Sequence, residues 1–263
     1  MKVSLIITTY NWKDALVAVL KSVEKQTVLP NEVIVADDGS RSDTKTAIQE
    51  IAKNFPVPLI HSWQEDKGFR AAKSRNQAAL RTSTEYIIYI DGDIILHPDF
   101  IKDHIRSAKD GYFIQGGRVK LNKARSQKVL DDNLLPSFFS TGVKNRKNTI
   151  SNPYMSNIFS RVWNSDISTR SCNFGLWKSD LFAVNGFNEE FEGWGREDSE
   201  LVIRLLNLGR QRIYLKFAAV GYHLYHEENT RAQLDENDLI LQNTIENSLT
   251  RCELGLDQYR LLP

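Results

Sequence analysis

The chain has 263 residues, 41% of them hydrophobic and 25% charged, with a formal net charge of +1. That length holds one large domain or two small ones, the composition is ordinary for a soluble globular protein, and the near-zero charge gives no global reason to expect nucleic acid. Cys172 and Cys252 lie far apart, showing neither a disulfide framework nor metal-site spacing, which fits a reducing compartment.

The first element expected is a short apolar strand, Val3–Thr8. The chain enters it with no leader pattern. No apolar run approaches the roughly 18 residues that span a bilayer. The expectation is a cytoplasmic protein, with peripheral contact at the inner face of a membrane left open. Asn11 can cap a helix over Trp12–Gln26, where Ala15, Val19 and Val23 share a face. Glu32–Ala36 is a second strand and ends at Asp37-Asp38-Gly39-Ser40. Ser42 or Asp43 opens a helix to about Asn54. Val57–His61 predicts a third strand, Gly68–Thr82 a helix, and Glu85–Ile90 a fourth strand that stops at Asp91-Gly92-Asp93. This β-α-β-α-β-α-β order predicts a Rossmann-like α/β fold, a mostly parallel sheet flanked by helices. The unbroken apolar run before Asp91 reads as a strand buried on both faces.

Pro98–Lys109 reads as a helix and Tyr112–Gly116 as a strand. Residues 118–150 then change character, with eight Lys/Arg against two Asp and few periodic apolar residues. They predict an insertion or mobile loop, either simply solvated or used toward an acidic acceptor or a membrane surface. Strand-like pattern resumes at Ser171–Trp177, followed by a short helix over Lys178–Val184. A glycine-rich loop then leads into a helix starting near Gly195 and stopped by Gly209. Ile213–Phe217 and Ala219–Tyr225 are late strands, and the chain from Asp235 onward is polar and mostly helical. The expected organisation is a donor-binding half over 1–117, a basic insertion over 118–165, and an acceptor half with a helical tail over 166–263.

Ligands of open α/β sheets bind outside the carboxyl ends of the strands. Three strands end there in polar residues: Thr9-Tyr10-Asn11, Asp37-Asp38 and Asp91-Gly92-Asp93. Asp91 and Asp93 are either a solvated turn or a carboxylate pair held together by a cation, and hard oxygen ligands suit Mg²⁺ or Mn²⁺. Gly92 lets the backbone come close to a ligand. Asp37 and Asp38 either cap the following helix or accept hydrogen bonds from a nucleoside. Arg70, Lys73 and Arg75 either line a solvated helix face or offset the acidic pair and hold a diphosphate. Glu197 and Asp198 complement a helix dipole or serve as a base beside an aromatic platform, Trp194. His223 and His226 are structural or return to the same sheet edge. Alternation along a strand would turn them to opposite faces, which makes His226 a rival of His223 rather than its partner.

Taken together, these segments resemble the family 2 nucleotide-sugar glycosyltransferases of the GT-A fold. Thr-Thr-Tyr-Asn, Asp-Asp-Gly-Ser, Gly-Phe-Arg-Ala-Ala-x-x-Arg-Asn and Asp-Gly-Asp occur in that family's order. Gly193–Asp198, Gly-Trp-Gly-x-Glu-Asp, is similar to the galactosyltransferase-type half of β-1,4-galactosyltransferases and bacterial chondroitin polymerases. The resemblance implies that Thr9, Tyr10, Asn11, Asp37, Asp38, Arg70, Arg75, Asn76, Asp91, Gly92 and Asp93 surround the nucleotide sugar. It implies Asp93 and His223 as ligands of Mn²⁺ or Mg²⁺, with Asp91 second. Gly193 and Trp194 are implied at the acceptor, Asp198 as base and Glu197 as its acceptor-orienting partner. The implied reaction is inverting transfer of a hexose or N-acetylhexosamine from a UDP-sugar to an oligosaccharide or glycolipid hydroxyl, as in bacterial surface polysaccharide or lipopolysaccharide synthesis. The other classes open to these residues are a nucleotidyltransferase, which should carry a glycine-rich phosphate loop after the first strand, and a non-catalytic carbohydrate-binding module. Asn229 and Thr230 could begin a loop that closes over the donor.

Overall fold

The structure is a computed structural model that describes residues 1–132, 134–165, 169–227 and 233–259. Its elements run β1 (Val3–Thr9), α1 (Lys13–Glu24), β2 (Glu32–Asp37), α2 (Ser42–Ala52), β3 (Leu59–Trp63), α3 (Ala71–Leu80), β4 (Tyr86–Asp91) and β5 (Ile94–Leu96). There follow α4 (Phe100–Ser107), β6 (Tyr112–Gly116), β7 (Arg118–Leu121), α5 (Lys123–Asp132), β8 (Val143–Lys144), α6 (Pro153–Phe159) and β9 (Arg161–Val162). The chain closes with β10 (Asn173–Trp177), α7 (Lys178–Ala183), α8 (Glu197–Asn207), β11 (Gln211–Leu215), β12 (Gly221–His223) and α9 (Leu234–Glu246). Among the described residues no helix is long and apolar enough to cross a membrane.

The large sheet has the order β3-β2-β1-β4-β10-β6-β11-β9. Its first four strands are parallel, β10 is antiparallel to both neighbours, and β6 and β11 are again parallel. Strand alternation sorts the core into two layers. Leu5, Ile7, Val33, Val35, Ile88 and Ile90 pack with α1, while Ile6, Ile34, Ala36, Ile87 and Tyr89 pack with α3, α7 and α8. Each strand is therefore apolar on both sides, as its unbroken apolar run predicts.

Part of the expected insertion or mobile loop carries regular structure. Residues 118–132 contain β7 and α5, residues 143–144 form β8, and a second sheet runs β5-β12-β7-β8. Val119, Leu121, Val129 and Val143 join the α1 layer of the core. Their apolar positions are too few and too widely spaced for local periodicity to reveal, because three short strands from distant parts of the chain share the burial. The three-part division does not follow the sheets either. β10 and β11 from the late chain complete the large sheet, and β5 from the early chain joins the small one.

Asn11 does not cap α1, whose N-cap is Trp12 without a side-chain cap bond. Asn11 instead takes a left-handed φ of 48°. Its backbone N–H donates to Ser40 Oγ at 2.8 Å and its Oδ1 accepts from the Arg41 N–H at 3.0 Å. It ties the loop after β1 to the loop after β2.

Candidate active site

Backbone hydrogen bonds continue the parallel ladder just beyond the strand ends. Asp38 N–H donates to the Thr9 carbonyl at 3.0 Å and Gly92 N–H to the Thr8 carbonyl at 2.7 Å. The three polar loops are thereby held side by side. A side chain at Gly92 would start 2.9 Å from the Thr8 carbonyl oxygen, so glycine is needed there for the approach to β1.

Asp37 and Asp38 divide their roles. Asp37 is fully buried, its Oδ1 accepting from the Ser40 N–H and its Oδ2 lying 2.8 Å from His61 Nε2. It shapes the turn. Asp38 accepts from the Arg70 N–H at 2.8 Å and from Gln64 Nε2 at 2.6 Å. Burial pushes its carboxyl up to about 6, against the pull of those donors. Tyr10 stands at the mouth, half exposed, with its hydroxyl donating to Asp66 at 3.0 Å.

Asp91 and Asp93 point to different partners. Asp91 Oδ1 lies 3.5 Å from Arg75, whose guanidinium also reaches Glu197 at 3.2 Å and Asp198 at 3.4 Å. Arg75 Nε donates to Thr8 Oγ1, and the group lies 5.2 Å from the Phe187 ring centroid. Buried as it is, Arg75 joins β1 through the Thr8 hydroxyl and β4 and α8 through three carboxylates, rather than presenting a free cation to a diphosphate. Asp198 also accepts from the Ser171 N–H at 2.8 Å. Burial first, then the neighbouring Asp198, pushes Glu197 up to about 7.

Asp93 turns toward the small sheet. β12 pairs with β5 so that His223 lies opposite Ile94, and Leu224 N–H donates to the Asp93 carbonyl at 3.0 Å. His223 Nε2 and His226 Nε2 stand 3.5 and 3.3 Å from the same Asp93 Oδ2. The expectation that His226 faces away is thus overturned. β12 ends at His223, so the period-2 alternation of a strand no longer governs the next three residues. One ligand atom from each of Asp93, His223 and His226 falls within 4.8 Å of the others. Asp91 is not in this group.

These residues fit a divalent cation. Among the described residues, Asp93 Oδ1 is buried and finds no hydrogen-bond partner. Burial and then Asp91 push Asp93 up to about 8, while burial, Arg118 and His226 push His223 down to about 3. A buried carboxylate beside two imidazole nitrogens, with burial disfavouring the charged forms of Asp93 and His223, is an arrangement that a cation would relieve. His226 Nδ1 donates to the Glu227 carbonyl at 2.7 Å, which leaves Nε2 as the nitrogen turned toward Asp93. One carboxylate and two imidazoles suit Mn²⁺ better than Mg²⁺.

Three expected donor residues have partners within the fold. Arg70 pairs with Glu192 at 2.8 Å, fixing the glycine-rich loop, whose Gly193 N–H donates to the Phe69 carbonyl. Asn76 is wholly buried, donating to the Phe187 carbonyl and to Glu189 and accepting from the Phe187 N–H. Asn11 acts as described above. Trp194 is 40% exposed beside α8, where a flat ring is accessible. Arg196, the α8 N-cap, holds φ 81° in the left-handed region, a strained turn that aims Glu197 and Asp198. Asn229 and Thr230 lie outside the described residues. Sequence reasoning missed Arg118. Its charge bears on Asp91, Asp93 and His223, and its only local signal is its place after the Gly116-Gly117 strand end.

Known proteins bear on this geometry. The family described as glycosyl transferase family 2 matches residues 4–167, and the one described as N-terminal domain of galactosyltransferase matches residues 156–227. The chain is 26% identical over 229 residues to validoxylamine A glucosyltransferase of Streptomyces hygroscopicus subsp. limoneus, covering 77% of this chain and 47% of that one. It is 25% identical over 250 residues to chondroitin synthase of Escherichia coli, covering 86% and 34%. The chain thus spans about half the length, or less, of these relatives. With the UDP-GlcNAc complex of S. aureus TarS it shares the fold at a TM-score of 0.67 and 18% identity, over 98% of this chain and 69% of that one.

Proposed function

Since the chain belongs to glycosyl transferase family 2, we propose that it transfers a hexose or N-acetylhexosamine from a UDP-sugar to a carbohydrate hydroxyl, with a divalent cation and inversion at the anomeric carbon. The observation that carries the reading is the meeting of Asp93, His223 and His226 outside the end of β4, beside the acidic start of α8. Asp93, His223 and His226 would hold the cation. When bound, it supplies Lewis-acid neutralisation of the diphosphate leaving group.

The remaining roles belong to the chain itself. Tyr10 and Asp38 flank the nucleoside at the ends of β1 and β2. Asp198 accepts the proton of the attacking hydroxyl, and Glu197 beside it orients the acceptor on the Trp194 platform. Arg75 keeps both carboxylates facing the end of β4. The parallel with inverting glycosidases is chemical: a base activates the attacking oxygen on the face opposite the leaving group. Support for uridine comes from the TarS structure of the same fold, which holds UDP-GlcNAc. Support for an oligosaccharide or glycolipid acceptor comes from relatives such as the chondroitin synthase and the GalNAc(5)-diNAcBac-PP-undecaprenol beta-1,3-glucosyltransferase of Campylobacter jejuni, 23% identical over 90% of this chain.

The test is release of UDP from a panel of UDP-sugars with acceptor oligosaccharides, with and without Mn²⁺, followed by NMR of the first-formed product. A β-linkage from an α-linked donor, lost in chelator, is expected. An α-linked product overturns the inverting mechanism, and full turnover in chelator overturns the cation's role.

A further inference from the structure

The edge of the large sheet opposite β3 carries apolar side chains that nothing in the described protein covers. Tyr154 and Ile158 on α6 are 80% and 74% exposed, and Phe159, Val162 and Trp163 are exposed as well. Soluble monomers scatter such side chains singly, and five within ten residues mark a contact surface. The patch is firmly built. Asn152 caps α6, its Oδ1 accepting from the Met155 N–H at 3.0 Å, and its own N–H donates to the Phe217 carbonyl at 2.8 Å. The Phe159 ring meets Phe217 edge-on at 5.5 Å.

Charge selects the occupant. From Asn133 to Ser165 the sequence has no Asp or Glu, yet it carries Lys144, Arg146, Lys147 and Arg161. Beside the patch, Arg161, Trp163, Tyr214 and Lys216 line a cavity of about 260 Å³. The Arg161 guanidinium lies 3.8 Å from the Trp163 ring centroid and Lys216 Nζ lies 5.8 Å from that of Tyr214. Apolar and aromatic bodies flanked by cations suit the headgroup boundary of a bilayer, where the apolar parts sink in and Lys and Arg meet anionic headgroups. A second copy meeting this face across a two-fold axis would set cation against cation. We propose that the α6–β9 face docks the protein on an anionic phospholipid surface. β9 lies four strands from β4 in the sheet order, so docking can be measured apart from sugar transfer.

The experiment is flotation of the full chain with vesicles of phosphatidylglycerol and phosphatidylcholine, or of phosphatidylcholine alone, at low and high salt. Partition onto the anionic vesicles, reversed by salt, is expected. R161Q with K216Q should lower it roughly 25-fold, about fivefold for each charge. I158E with F159E should abolish it. Unchanged melting temperature and UDP release will show that both double variants are folded. Absence of binding to anionic vesicles, or binding that neither double variant changes, overturns the proposal. So does sedimentation showing that I158E with F159E turns a dimer into a monomer, which would make a second copy the occupant.

Discussion

Asp93 is the residue on which the proposed chemistry turns, because among the described residues its Oδ1 is buried without a hydrogen-bond partner and its Oδ2 faces two imidazoles. Asp93→Ala should abolish Mn²⁺ binding in calorimetry while the fold survives. His223→Ala and His226→Ala should each weaken binding by more than the roughly 10–100-fold that loss of a supporting partner costs. Full Mn²⁺ affinity in His226→Ala would leave His223 as the sole imidazole ligand. Glu197 gives a prediction of opposite character. Raised from an ordinary 4.5 to about 7, it keeps in the folded state a proton that the unfolded chain has lost. Its contribution therefore lowers stability as pH rises across that window, and the cost is complete above about 7. Turnover should climb through the same pH as Glu197 gives up its proton. In Glu197→Gln the acid limb near pH 7 should disappear, since the carboxyl that titrates there is gone. An unmoved limb would assign the titration elsewhere.

At the scale of elements, two side chains of α3 hold the halves of the site together. Arg75 joins the ends of β1 and β4 to the start of α8. Arg75→Met would leave three carboxylates crowded without their cation, Glu197 the most buried of them, and breaking a buried ion pair typically costs about 3–5 kcal/mol. Denaturant unfolding should register that loss, with Arg75→Lys intermediate because a point charge replaces the fork. A loss below about 1 kcal/mol would mean the carboxylates relax into water or take up protons. Asn76 fastens α3 to Phe187 in the segment after α7. Asn76→Ala should cost about 1–3 kcal/mol for each buried group left unsatisfied. Both residues stand in a stretch whose charges and amides look alike in the sequence. Burial separates them from the exposed Lys67, and burial is set by α8 and the loop before it, more than a hundred residues away.

At the scale of the molecule, the sheets are woven from both ends of the chain. β10 closes the side of β4, and β5 finds its partner only in β12. A fragment of residues 1–117 should therefore lack a cooperative melting transition, with one edge of the apolar β4 uncovered. The full chain should unfold in a single transition, its calorimetric and van't Hoff enthalpies agreeing. A fragment that melts cooperatively would show that the parallel four-strand unit is self-sufficient.

The sequence by itself determined the α/β class, the four parallel strands and the polar loops at their ends. These follow from local apolar runs and from the turn chemistry that stops them, and both act over a few residues. It also singled out Asp91, Asp93, Glu197, Asp198, His223 and His226 as the residues to watch. Only the tertiary structure decided their pairing, Asp91 with Arg75 and Asp93 with both histidines, and the strands and helix within residues 118–132 and 143–144. The physical reason is that pairing depends on where β12 docks and where it ends. Docking is fixed by burial shared among β5, β7 and β12, strands that are far apart in the chain and have no common local pattern.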